Sequence, residues 1–296
     1  MIPIMKRPDY IGELEKTGFP FEIKVAEELE KANWKFLIDY PLSVLPDASN
    51  LPIEETSIDF KARQDSLFAL IETRRAVFHE WILFRKIKGN SFYILSHHQD
   101  TKRRTGFEFH IRRKIRSDRS WNHCQSLVRF QTGRGIYSNV IPINGKGHCI
   151  APKKDQPLKK GEIRKGAIQA SIATIGAIND DYAFMDKARG IITPPGKGSL
   201  YFPVITTAAK ISVMDFDSNQ IDQNGFFPKP DNITITEVPW AIYRFSLPRS
   251  LWLPIFEPFN AISNFDLRDK HRKLDVFIVN VEYLSKFFEE IKSIVE

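Results

Sequence analysis

Residues 57–75, SIDFKARQDSLFALIETRR, constrain this chain more than any other stretch. Ile58, Phe60 and Ala62 alternate with Asp59, Lys61 and Arg63, a period of two that belongs to a strand with one apolar and one charged face. LFALIETRR follows Gln64-Asp65-Ser66; it opens apolar on both faces and turns polar at Glu72 and Arg74, as a buried strand does on leaving a core. A tight turn centred on Asp65 and Ser66 would join the two into a hairpin and set Asp59 opposite Glu72, with Cβ atoms roughly 5 Å apart. Like charges at that spacing are unfavourable unless a cation sits between them. Oxygen ligands of this kind suit Mg²⁺ or Mn²⁺, which keep several waters and bind substrate phosphate directly. Lys61 and Arg74 each stand two residues along their strands from these carboxylates and so share the charged face. A divalent ion flanked by cationic side chains suits attack on a phosphodiester, because charge builds up on the phosphate as water adds.

The rest of the chain supplies elements to surround this hairpin. Phe21, Val25, Leu29 and Ala32 form one apolar stripe and predict a helix over 20–32, followed by a strand over 34–40. Further buried strands are expected at 92–95, 202–206, 211–215, 240–245 and 276–279. A helix rich in small residues is expected at 163–178, and an amphipathic one carries Leu284, Phe287, Phe288 and Ile291. Between about 98 and 165 periodicity is poor and Gly and Lys accumulate, which reads as an insertion, part loop and part helix. The organisation expected is therefore 1–97 as the first half of a core, 98–165 as a basic excursion, and 166–296 as the rest of the core. Helices around a set of buried strands make the fold class α/β with a central sheet.

Charge follows position along the chain. Residues 1–84 carry 10 basic and 15 acidic side chains, residues 85–119 carry 11 and 3, residues 120–167 carry 9 and 2, and residues 168–296 carry 13 and 16. A strongly basic middle with Phe92, Tyr93, Phe107, Phe109, Trp121, Phe130 and Tyr137 interleaved suits a polyanion, nucleic acid above all. The two cysteines, Cys124 and Cys149, are too few for a stapled scaffold of 296 residues and fit a reducing compartment. No run approaches the roughly 20 apolar residues that cross a bilayer, so a cytoplasmic protein without a membrane partner is expected. The pairs His123-Cys124 and His148-Cys149 lack zinc-finger spacing, and no phosphate-loop signature is present.

From FPFEIKVAEELEKANW through SIDFKA to LIETR, the chain resembles the core of the PD-(D/E)XK, or restriction-endonuclease-like, nucleases. The resemblance covers about residues 17–97, and FPVITTA resembles a later core strand. It implies a central mixed sheet flanked by helices, with Glu22 as a helix carboxylate, Asp59 and Glu72 as metal ligands, and Arg74 at the place of the usual lysine. Without it, Glu22 would be read as one of four solvated glutamates between 22 and 30. The implied activity is Mg²⁺-dependent (or Mn²⁺-dependent) endonucleolytic hydrolysis of nucleic acid, DNA ahead of RNA, and the resemblance admits a homodimer, the form in which many members act. Arg74 departs from the pattern. A guanidinium stays protonated and can hold a phosphate but cannot act as a base, so Lys61 is a candidate for the missing role. The alternative is a catalytically degenerate nuclease fold that only binds nucleic acid or serves as an adaptor.

Overall fold

The computed structural model describes Leu14 and residues 17–41, 57–75, 80–85, 91–99, 107–114, 122–131, 142–150, 162–187, 199–215, 219, 221–224, 233–246 and 273–295. Helix α1 (Phe19–Lys31) begins at Gly18, whose φ of 84° is open to glycine without a Cβ penalty; Pro20 follows in the first turn. Its end is equally determined. Asn33 adopts a φ of 58°, its amide donates to the Glu30 carbonyl, and the Trp34 amide donates to the Leu29 carbonyl, the paired bonds of a Schellman cap. That cap turns the chain into β1 (Lys35–Pro41) and lays Trp34 against Phe288, ring centroids 4.2 Å apart.

The hairpin forms as the alternation predicts. Strands β2 (Ser57–Gln64) and β3 (Leu67–Arg74) pair antiparallel, with Phe60 opposite Ile71 and Gln64 opposite Leu67. Asp65 takes the turn with a φ of 53°, a conformation that aspartate tolerates. On its other side β3 lies parallel to β9 (Ser199–Thr207), whose nine residues are all buried. The parallel crossover contains helix α2 (Glu162–Lys187), packed on β3 and β9.

Strand β9 divides the sheet. Its first residues pair with β5 (Ser91–Gln99), and its last four pair in parallel with β13 (Lys273–Asn280). With β6 at Phe107–Lys114 and β7 at Asn122–Gln131, the larger sheet runs β1-β2-β3-β9-β5-β7-β6, and β13 and β12 (Trp240–Ser246) branch from β9. A second sheet, in the order β11-β10-β4-β8, joins Thr234–Glu237, Lys210–Asp215, Glu80–Arg85 and Pro142–Ile150. Helix α3 (Leu284–Val295) follows β13 through a single turn of 3₁₀ helix. Two apolar clusters result. One gathers Phe21, Val25 and Leu29 of α1 with Phe287 and Phe288 of α3 on Phe60, Ile71 and Phe202. The other joins α2 to Phe68 and Leu70 and to Trp81, Leu83 and Ile211 of the second sheet. The chain is thus α/β, a mixed sheet flanked by helices. Among the described residues no helix is long and apolar enough to cross a membrane.

Residues 98–165 correct one expectation. The described parts of this stretch are mostly strand: the end of β5, then β6 (Phe107–Lys114), β7 (Asn122–Gln131) and β8. Strands β6 and β7 extend the larger sheet, while β8 closes the edge of the second. Sustained alternation is missing from β7 and β8, and the segment that does alternate, Phe107 to Arg112, is short and lies among Gly- and Lys-rich runs.

Candidate active site

Asp59 stands where the regular alternation of β2 breaks. Phe60 and Ala62 belong to the apolar cluster under α1, whereas Ile58, two residues earlier, belongs to the cluster under α2. The neighbouring strand makes the same change. Phe36 packs on the α1 side and Tyr40 on the α2 side, and between them Asp39 has a φ of 49°. The β1–β2 register is the same on both sides of this point, Ile38 opposite Phe60 and Tyr40 opposite Ile58, and continuing it across the gap sets Asp39 level with Asp59. Two strands switch faces together with an aspartate on each. A left-handed non-glycine residue inside a strand costs free energy and points to a position the surroundings enforce.

The Asp59 carboxylate is half-buried and held by its neighbour: Oδ2 accepts from the Thr73 amide at 2.5 Å and from Thr73 Oγ1 at 2.7 Å. Glu22, in the first turn of α1, lies close enough to feel it. Partial burial pushes the Glu22 carboxyl above its ordinary range, and the charges of Asp59 and Asp39 push it further. Acids of three elements, α1, β1 and β2, are thus linked at Glu22 through burial and charge.

Glu72 turns elsewhere. Continuing the observed register places it opposite Asp59, yet its side chain is only 3% exposed and pairs through Oε1 with Arg74 Nη2 at 2.9 Å. The same Nη2 donates to Gln169 Oε1 on α2. Gly166, one turn earlier on that helix, makes the room: a Cβ there would lie 3.2 Å from Ile205 Cδ1 and 3.5 Å from Arg74 Nε. Lys61 donates to Tyr40 Oη at 3.3 Å with its ammonium 4.6 Å from the Tyr40 ring centroid. Of the five residues expected from sequence, Glu22 and Asp59 come together, Glu72 and Arg74 form a pair beneath α2, and Lys61 rests on Tyr40. Asp39, Thr73 and Gln169 were not anticipated. The available signal for Asp39 was an acid inside the apolar strand KFLIDY, which becomes meaningful once the β1–β2 register sets it level with Asp59.

Among the described residues no group of three or more Asp, Glu, His or Cys side chains is arranged to enclose a metal by itself. The donor set nevertheless fits a hydrated divalent cation. Mg²⁺ uses one or two carboxylates and fills its shell with water and substrate phosphate, and a cation would relieve the repulsion that Glu22 experiences. No protein-family model matches this chain, and neither does any curated protein or solved structure.

The raised Glu22 carboxyl has a measurable consequence. A carboxyl whose folded value exceeds its unfolded one binds protons more tightly when folded, so it lowers stability as pH rises through that interval. Glu22→Gln is therefore expected to melt higher than wild type at pH 7 in EDTA. The difference should vanish near pH 4, where both forms are neutral. Thermal unfolding across pH 4–7 measures it; a constant difference would show that Glu22 is not repelled.

Proposed function

We propose that this protein is a divalent-metal-dependent nuclease with a restriction-endonuclease-like core, acting on DNA in preference to RNA. The observation that carries the reading is the Asp59 carboxylate, held by Thr73 and acting with Asp39 on Glu22, on a hairpin whose other strand carries the Glu72–Arg74 pair. Helix, strand and following strand carry the residues that the resemblance requires of them, Glu22, Asp59 and Glu72-x-Arg74. Asp59 and Glu72 would hold the cation, with Glu22 beside Asp59. When bound, a divalent ion activates water and neutralises charge on the scissile phosphate.

The side chains supply the remainder. Thr73 fixes one Asp59 oxygen, so the carboxylate presents a defined direction instead of a mobile one. Gln169 and Glu72 hold Arg74 by Nη2, which orients the planar guanidinium and leaves Nη1 as the donor for a phosphate oxygen. Arg74 binds and orients but takes no proton. Lys61, with its ammonium over Tyr40, supplies a second positive charge on the α2 side of the sheet.

The Glu72–Arg74 pair also favours a second reading. A carboxylate already neutralised by its own strand is a weaker metal ligand, as expected of a degenerate nuclease fold that binds nucleic acid without cutting it. Supercoiled plasmid, single-stranded DNA and single-stranded RNA incubated with Mg²⁺, Mn²⁺ or EDTA separate the two. Cleavage that requires metal supports the enzyme. Retarded but intact nucleic acid with every metal supports the binder.

A further inference from the structure

Three cations share one face of β1 and β2. In the observed register Lys35 stands opposite Arg63 and Leu37 opposite Lys61, while across β2–β3 Arg63 stands opposite Phe68 and Lys61 opposite Leu70. Residues opposite each other in antiparallel strands point to the same side, and Phe68 and Leu70 belong to the cluster under α2. Lys35, Arg63 and Lys61 therefore all lie on the α2 side, at the edge of the sheet that β1 forms. Lys35 and Arg63 are exposed and Lys61 is half-buried.

The arrangement is unfavourable for the protein alone, because like charges directly opposite each other across a strand pair repel. Among the described residues neither Lys35 nor Arg63 has a carboxylate partner, whereas Lys31, Arg74, Lys210, Arg244 and Lys292 each have one. Arg63 is nevertheless held in place. Its Nε donates to the Asp65 carbonyl at 3.1 Å, and its guanidinium carbon lies 5.1 Å from the Phe68 ring centroid, which leaves the two Nη groups for a bidentate contact with a phosphate. Leu37, 60% exposed, sits among these cations. A small inorganic anion gains nothing from an apolar neighbour, whereas a polymer that alternates phosphate with sugar does.

We propose that Lys35, Arg63 and Leu37, continuing through Lys61, form a track for the sugar-phosphate backbone of DNA that leads to Arg74. Nucleic acid as the occupant rests on the nuclease reading, whereas the cationic face itself does not depend on metal. Arg63 is level with Phe68, and Arg74 lies six residues further along β3, about 20 Å at 3.3 Å per residue. Arg74 is on the same side of the sheet, where it meets Gln169 of α2. Phosphates on one strand of a duplex are spaced 3.4 Å along its axis, so the interval corresponds to about six nucleotides. The substrate is thus gripped about that far to one side of the scissile phosphate.

The test leaves Lys61 and Arg74 intact and compares wild type with K35Q/R63Q and with K24Q/K286Q, which removes the same charge from exposed positions on α1 and α3. Anisotropy of labelled 30-base-pair DNA is followed in EDTA between 50 and 200 mM salt. Loss of two phosphate contacts is expected to flatten the slope of log K against log salt by about 1.8, at about 0.9 per phosphate, and to lower affinity at 50 mM more than tenfold. K24Q/K286Q should keep the wild-type slope. Lys35→Glu sets opposite charges across β1–β2, so it should raise the melting temperature while weakening DNA binding. K35Q/R63Q or Lys35→Glu binding as wild type does overturns the proposal, as does an equal loss in K24Q/K286Q or a wild type that ignores DNA. A wild type that binds through Lys35 and Arg63 yet never cleaves leaves the track standing and removes the nuclease reading. Metal-dependent cleavage by wild type, with K35Q/R63Q binding unchanged, does the reverse.

Discussion

Asp59→Asn is expected to reduce metal-dependent cleavage by about 1,000-fold or more while leaving the protein folded. The substitution keeps the shape of the side chain and one oxygen for the Thr73 hydroxyl, but removes the charge that a divalent cation needs. A 1,000-fold loss corresponds to about 4 kcal/mol of transition-state stabilisation, near what one preorganised electrostatic contact contributes in a dry site. The structural cost is smaller. Asparagine weakens the short bond from the Thr73 amide by about 1–2 kcal/mol, and relief of repulsion with Glu22 offsets part of that. A variant as active as wild type, with an unchanged requirement for Mg²⁺, would remove Asp59 from the site. A variant that is inactive because it unfolds would be recognised by its melting curve.

The second large effect concerns stability. Arg244 and Asp275 face each other across β12 and β13, joined by two bonds of 2.8 and 3.0 Å. The Asp275 side chain is fully buried and that of Arg244 is 21% exposed. Arg244→Ala leaves a buried carboxylate without its bidentate partner, and the expected loss is about 3 kcal/mol. Arg244→Lys keeps the charge but only a point donor, so it should recover part of the loss. Urea unfolding measures both. Because β13 bonds to β9 beside Thr206 and Thr207, a loss confined to this edge would appear as a separate early transition, and a shared transition would show that the branch folds with the main sheet.

How far the chain could be read from its sequence depends on which contrasts its residues preserve. Period two in SIDFKAR and the polar break at Asp65-Ser66 were sufficient for the hairpin and its register, because a strand with one buried face tolerates no slip. The small-residue helix was visible for a similar reason: Ala167, Ala170 and Ala173 pack on the sheet. Strand β7 was not legible, since NHCQSLVRFQ shows no sustained alternation, and β6, in which Phe107, Phe109 and Ile111 do alternate with polar residues, was obscured by the Gly- and Lys-rich runs around it. Glu80–Arg85 was missed as well. EWILFR is too short to distinguish a strand from a loop until β10 and β8 flank it.

The site was legible in its residues but not in their pairing. Spacing alone set Asp59 against Glu72; the observed pairing runs from Gln64–Leu67 to Phe60–Ile71, one residue short of them. What spacing could not express was the switch of faces at Asp39 and Asp59, which brings Glu22 toward Asp59, or Gly166, which opens the space where Arg74 lies against Gln169.

Binding of a divalent cation by these carboxylates would make thermal stability depend on metal with no substrate present. At a Mn²⁺ concentration 100 times the dissociation constant, linkage adds about 2.7 kcal/mol, a rise of roughly 5 °C for a chain of this size. That rise is expected in wild type and is lost in Asp59→Asn. A wild-type melting temperature indifferent to Mn²⁺ and Mg²⁺, or an equal rise in the variant, would contradict it.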